Sequence, residues 1–283
     1  MPTDDLYTMA QYMSAEDIAA EIRMQRQAET GAFLLLEGSS DYKRFKKFLN
    51  EESTSVVICW GKGRLIEVIN GLDGFDSIDC LGFADADFDR VLGATIERDN
   101  LIYSDLHDFD LDWATSAAFD RYLFEAGDEK KCSECGDWRL EIMQAIEPLS
   151  KMKFANVVGR IDCSFKRLDW RDCFDGTTFN REKAAYKILK KQNPTREIIE
   201  KFCEAAAPTE EFDLYQLTNG HDFLFALGCC LGSRIGKRRP QQIEREEVEL
   251  HLRLAFGSED FERLSSYHAI LKWQENTGLS VLN

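Results

Sequence analysis

Two short apolar runs in this chain end abruptly in carboxylates. The first is Ala32-Phe33-Leu34-Leu35-Leu36, followed by Glu37-Gly38. The second is Leu81-Gly82-Phe83-Ala84, followed by Asp85-Ala86-Asp87-Phe88-Asp89. A continuous apolar run bounded by glycine and charge suits a strand buried on both faces, as in a parallel sheet. Ligands of open α/β sheets sit beyond the carboxyl ends of the strands. Glu37, Asp85 and Asp87 are therefore expected to meet at one rim. Converging carboxylates raise one another's pKa, and a hard divalent cation, Mg²⁺ above all, relieves that repulsion.

Strand and helix signals alternate around these runs. Residues 14–29 read as an amphipathic helix, with Ser14 as cap and Asp17 as its capping acid. After Gly38, Tyr42, Phe45, Phe48 and Leu49 recur at helical spacing, with Ser39 or Ser40 as cap. Asp41 has two readings: a first-turn acid answering the helix dipole, or a further metal ligand beside Glu37. Residues 55–60 read as a second buried strand. Gly61-Lys62-Gly63 then turns the chain into a helix over 64–72. A phosphate-binding turn is one reading of that segment, but without a longer glycine-rich spacing the plain turn is preferred.

The third strand is expected over 78–84. Alternate residues of an extended segment face the same way, so Asp85 and Asp87 can address one cation, with Asp89 next in line. Residues 100–103 read as a fourth strand. After it, Asp110 and Asp112 suit the first turn of a helix running to about Phe124. His107 and Asp108 are candidate ligands or supporting groups. The β-α-β-α-β order predicts a parallel sheet with right-handed crossovers.

Past residue 125 the pattern changes. Residues 127–136 read as a charged linker. Helices are expected over roughly 138–149, 181–192, 195–206, 220–233, 242–256 and 259–274, with Pro148, Pro194, Pro208 and Pro240 as punctuation. This divides the chain into an α/β domain over 1–125 and a helical domain over 126–283. Asn219-Gly220-His221-Asp222 opens the most apolar of these helices, which marks His221 and Asp222. Arg234, Lys237, Arg238 and Arg239 follow it. A basic helix end answers the dipole, but in an acidic chain this cluster is also the first candidate for phosphate contact. Arg160, Lys166, Arg167 and Arg171 form a second.

Composition narrows the classes. The net charge of −16 argues against coating nucleic acid through a broad basic face and suits docking on a basic partner. No apolar stretch approaches the ~20 residues of a membrane span, and the acidic start is unlike a signal peptide. Nine scattered cysteines, an odd number, favour reduced thiols in the cytoplasm. Cys132-Ser133-Glu134-Cys135 is a lone CxxC and a weak zinc signal.

The run Leu34-Leu35-Leu36-Glu37-Gly38-x-x-Asp41, followed by Asp85-x-Asp87, resembles the TOPRIM domain of primases, topoisomerases and OLD-family nucleases. That likeness covers about residues 32–112. The added GKG turn, His107-Asp108 and Asn219-Gly220-His221-Asp222 extend it to about residue 235. They resemble a TOPRIM-like bacterial family often encoded beside an ABC-type ATPase, which includes the effector of the PARIS anti-phage system. The resemblance implies a mostly parallel sheet flanked by helices and a Mg²⁺-dependent nuclease, with Mn²⁺ as a substitute. Glu37 would serve as general acid/base or shared ligand, Asp85 and Asp87 as metal ligands, and Asp41 would match the acidic position of the OLD-type pattern. Asp89 and Asp108 are the remaining candidates for a second metal. Lys62 or the basic cluster would support developing negative charge. The implied partners are a nucleic acid (DNA, or RNA such as transfer RNA) and an ABC-type ATPase, with a homodimer as a further expectation. Two other readings stay open: a non-catalytic subunit docked on an ATPase, and another phosphoryl- or nucleotidyl-transfer enzyme built on the same acids.

Overall fold

The computed structural model describes residues 12–74, 79–134, 136–165, 168–237 and 243–283. Its elements begin with α1 (Ala15–Gln25), β1 (Ala32–Leu36), α2 (Ser39–Phe45), β2 (Thr54–Ile58), α3 (Lys62–Leu72) and β3 (Cys80–Ala84). Then come α4 (Asp89–Leu92), β4 (Leu101–Tyr103), α5 (Phe109–Ala114), α6 (Ala117–Ala126) and α7 (Trp138–Val157). The chain continues through α8 (Arg181–Leu189), α9 (Arg196–Ala205), α10 (Leu214–Leu217), α11 (Gly220–Cys230), α12 (Arg245–Ala255) and α13 (Ser265–Thr277). The class is α/β. The four strands form one parallel sheet in the order β2-β1-β3-β4.

Burial explains the strand order. Every residue of β1 and β3 is buried, as their unbroken apolar runs require. Phe33 and Leu36 are fully enclosed; burying such a side chain contributes roughly 1.5–3 kcal/mol. Leu36 pairs with Ile58 on one side and Phe83 on the other, so β1, β2 and β3 end at one level. The expected buried second strand is corrected: β2 is half-buried throughout, because it lies at the sheet's edge.

One face of the sheet packs α1 and α3, joining Ile18, Ile22, Leu65 and Ile69 to Phe33 and Leu35. Gly82 makes that approach possible, since a Cβ there would lie 2.6 Å from Ile69 and 2.9 Å from Leu65. Ser14 and Asp17 close a reciprocal capping box on α1. An aromatic cluster includes Phe45, whose ring centroid is 4.7 Å from Phe83 and 5.8 Å from Phe261.

The described chain forms two compact units. One unit takes residues up to 86, 95–105 and 261–283; the other takes 87–94 and 106–260. The carboxyl-terminal segment belongs with the sheet for a hydrogen-bonding reason. Asn50 N–H donates to Val281 O, and Asn283 N–H donates to Phe48 O, each at 2.9 Å. Asp105, just past β4, accepts from Ser265 and Ser266 N–H and so caps α13.

In the second unit the expected linker contains a helical turn, Glu129–Cys132, capped by Asp128. The helix expected to run to Phe124 is two, α5 and α6, with Ser116 capping the second. Pro148 does not end its helix: α7 runs 20 residues through it, with Ile146, Leu149 and Met152 buried along its length. After α11 the backbone widens into a π-helical turn, Leu231–Ile235. No helix among the described residues is long and apolar enough to cross a membrane.

Candidate active site

Groups beyond three strands, β1, β2 and β4, converge on the dipeptide that follows β3, Asp85-Ala86, at the carboxyl rim of the sheet. Glu37 follows β1, and its Oε1 accepts from the Asp85 backbone N–H at 2.8 Å. Ser104 follows β4, and its Oγ accepts from the Ala86 N–H at 2.9 Å. Lys62 opens α3 beyond β2, and its Nζ donates to Asp85 O at 3.1 Å and Ala86 O at 3.4 Å. Gly61 permits that reach with a φ of 123°, where a side chain would be strained. The rim expected from the two apolar runs therefore unites Glu37 and Asp85. Lys62 enters as a clamp on carbonyl oxygens, a role the sequence reading had not given it.

Asp41 adopts the capping reading. Its Oδ2 accepts from Gly38 N–H at 2.8 Å, and its Oδ1 pairs with the buried Arg44 guanidinium at 2.8 Å. The cap position is Gly38 rather than Ser39 or Ser40. Both carboxylate oxygens are engaged within the first turn.

The alternation argument for Asp85-x-Asp87 stops at Ala84, where β3 ends. Asp87 has a left-handed φ of 49° and so is not extended. Its N–H donates to His107 O at 2.5 Å. Asp87 and Asp89 belong to the second unit, where Asp89 is the first residue of α4.

Within that unit, Asp108 joins the amino ends of two helices. Oδ1 accepts from Leu111 N–H at 2.8 Å, capping α5. Oδ2 accepts from Gly220 N–H at 2.8 Å and Asn219 Nδ2 at 2.9 Å, at the mouth of α11. Burial, followed by the charge of Asp110, pushes the Asp108 carboxyl well above its ordinary range, against the pull of the two backbone donors. Asp110 in turn accepts from Trp113 Nε1 at 3.2 Å and lies 3.4 Å from His221 Nε2. Asp222 pairs with Lys153 at 2.5 Å. Buried His107 has Nδ1 2.9 Å from Gln216 O. A carbonyl only accepts, so that nitrogen carries the proton. Burial pushes the His107 pKa below the ordinary value, opposed by the Gln216 carbonyl and Asp87. His107, Asp108, His221 and Asp222 are thus joined to neighbours that order this unit.

Where it is described, the basic cluster is engaged within its own unit. Arg234 lies 4.9 Å over the Trp138 ring, 3.3 Å from Glu141 and 3.2 Å from Gly176 O. Lys237 Nζ donates to Phe124 O and Glu125 O at the end of α6. Both side chains hold their own unit together. Arg238 and Arg239 lie outside the described residues. In the second cluster Arg160 pairs with Glu210 and Arg171 with Asp169, while Lys166 and Arg167 are outside the described residues. Cys132 donates to Ile235 O, and Cys135 is likewise outside.

Sequence reasoning missed Ser104 and Lys153. Ser104 follows the shortest strand and carries no acid to mark it; Lys153 lies mid-helix, distant in sequence from Asp222. Among the described residues no three His, Cys, Asp or Glu side chains are grouped as a metal site. No family model matches the chain, and no curated protein matches it at a significant level.

Proposed function

We propose that this chain is a metal-dependent nuclease that cleaves phosphodiester bonds at the carboxyl rim of its sheet. The observation that carries the reading is the hydrogen bond from Asp85 N–H to the Glu37 carboxylate. It joins two acids from separate strand ends where open parallel sheets bind their ligands. The donor chemistry fits Mg²⁺, which commonly takes one or two carboxylates and completes its shell with water and phosphate oxygens. Glu37 and Asp85 would hold it, with Asp87 the next acid along the chain. Bound there, the ion would neutralise the scissile phosphate and acidify a water. Glu37 would serve either as a ligand of the ion or as the general base that takes the proton of the attacking water, and Lys62 holds the Asp85 and Ala86 carbonyls. A cytoplasmic, toxic defence effector held by an ABC-type ATPase is the biological setting we infer for that activity, with RNA such as transfer RNA, or DNA, as substrate.

A second reading has its own support. Glu37, Asp41 and Lys62 each brace backbone groups, as the rim residues of a non-catalytic ATPase subunit would. Glu37→Gln separates the two, because the amide oxygen still accepts from Asp85 N–H while the charge is gone. Cleavage of an RNA and DNA panel in Mg²⁺ should fall at least about 100-fold, the scale of a lost general base, with the thermal midpoint nearly unchanged. Cleavage by the variant within tenfold of the parent defeats the role of Glu37, full activity of the parent in a chelator defeats the metal dependence, and no cleavage by the parent in Mg²⁺ defeats the nuclease reading.

A further inference from the structure

The second unit holds a cavity of about 810 Å³, within the size range of sites that enclose small ligands. Its apolar wall is Phe165, Leu168, Trp170, Phe174 and Phe225. Phe165 and Phe225 are only half-buried, although aromatic rings of this size are usually drawn into a core. Phe225 leans on Phe174 with centroids 6.4 Å apart, and Phe165 on Trp170 at 6.2 Å, so each exposed ring is backed by a buried one. Gly228 and the π-helical Gly232 line the cavity beside Phe225 without side chains to fill it.

The polar lining narrows the occupant. Among the described residues it contains three cations and five carboxylates. Each cation has a carboxylate at 3.0 Å or less: Lys153 with Asp222, Arg171 with Asp169 and Arg245 with Glu246. Each cation is thus partly neutralised by its own neighbour, so the lining has no excess of positive charge among the described residues. Glu244 adds a carboxylate in excess of these pairs, while Asp175 Oδ1 is already taken by Thr177 and Thr178 N–H at 2.8 Å. Aromatic faces with surplus acceptors suit a neutral, planar group that stacks and donates hydrogen bonds. A nucleobase with its ring N–H and exocyclic amine has that chemistry.

We propose that this cavity receives one unstacked base of a nucleic-acid strand. The inference rests on the nuclease reading above and deepens it: the substrate must present an unpaired base, as a loop or single strand does and an intact duplex does not.

The test uses the full chain carrying Glu37→Gln, so that binding is measured without cleavage. A labelled strand of about 12 nucleotides, within the span such sites cover, is titrated alone and as a blunt duplex. The single strand should bind at least tenfold more tightly. Phe225→Ala should weaken it by about 5- to 150-fold, the scale of one lost base–aromatic stack, and Phe225→Trp should restore it. Phe165→Ala, placed outside any helix, repeats the test should Phe225→Ala fail to fold. Equal affinity for strand and duplex, or folded Phe225→Ala and Phe165→Ala variants that bind the strand as the parent does, overturns the proposal. Cleavage is scored separately. Loss of strand binding in Phe225→Ala of a chain that cuts nothing sinks the nuclease reading and leaves the base site. Cleavage that persists unchanged on blunt duplexes in Phe225→Ala does the reverse.

Discussion

Replacing Asp108 tests how the histidine- and aspartate-rich unit is held together. Its carboxylate accepts three hydrogen bonds, from Leu111 N–H, Gly220 N–H and Asn219 Nδ2, at 2.8–2.9 Å. In Asp108→Ala the losses are unequal. Leu111 N–H retains a 3.1 Å bond to Asp108 O, so its share is that of an ordinary cap, about 1 kcal/mol. Gly220 N–H is buried and has no second acceptor among the backbone bonds, so leaving it unsatisfied costs about 1–3 kcal/mol. The Asn219 amide can turn to water and adds little. The sum is about 2–4 kcal/mol, which at about 2–4 °C per kcal/mol lowers the melting midpoint by at least about 4 °C. Asp108→Asn keeps one oxygen acceptor but presents an amide N–H to a second donor, and should lose roughly half as much. Urea titrations followed by circular dichroism, with thermal melts beside them, measure both. An Asp108→Ala protein within about 0.5 kcal/mol of the parent, the range of an ordinary surface change, would refute the claim that this carboxylate joins α5 to α11.

Two further outcomes follow from the same unit. Gly220→Ala should destabilise as much as Asp108→Ala, because the new Cβ would lie 2.5 Å from Asp110 Cβ and 2.6 Å from Leu111 N; a folded variant with an unchanged melt contradicts the close approach. His107 is pushed below its unfolded value by burial, so between that lowered value and about 6.5 the unfolded chain binds the extra proton. Its contribution is present above pH 6.5 and lost as pH falls through that window. Asp108, with a raised pKa, acts in the opposite sense as pH climbs. Subtracting the stability profile of His107→Gln from that of the parent isolates the histidine. A difference that stays flat between pH 5 and 7 removes it as the cause.

The fold was legible where burial leaves no choice, and the site was legible only as far as the strands reach. Ala32–Leu36 and Cys80–Ala84 announce themselves because both faces are covered, and a strand covered on both faces must be apolar at every position. Ser14 and Asp17 were readable because a capping box is closed by residues three apart. The half-buried β2 lost that clarity at the edge of the sheet. Beyond Ala84 the two-residue period no longer applies, and Asp87 at φ 49° follows a turn that no apolar pattern encodes. Other side chains have partners far away in sequence that no local pattern shows. Lys62 reaches forward to the Asp85 carbonyl, Glu141 and Trp138 hold Arg234, and the backbone at Val281 and Asn283 returns to residues 48–50.

These cases share one physical cause. A carboxylate at a strand end and a carboxylate at a helix start have the same local sequence signature, an acid after apolar residues beside glycine. They differ in what the oxygens accept. At Asp41 both oxygens are taken by an N–H and a guanidinium of its own turn. At Glu37 one oxygen accepts from a backbone N–H 48 residues away, just past the end of the adjacent strand β3. A local partner makes an acid part of its helix; a partner on another strand makes it part of a rim. That distinction places Glu37 ahead of Asp41 as the residue through which the proposed phosphodiester chemistry should be sought.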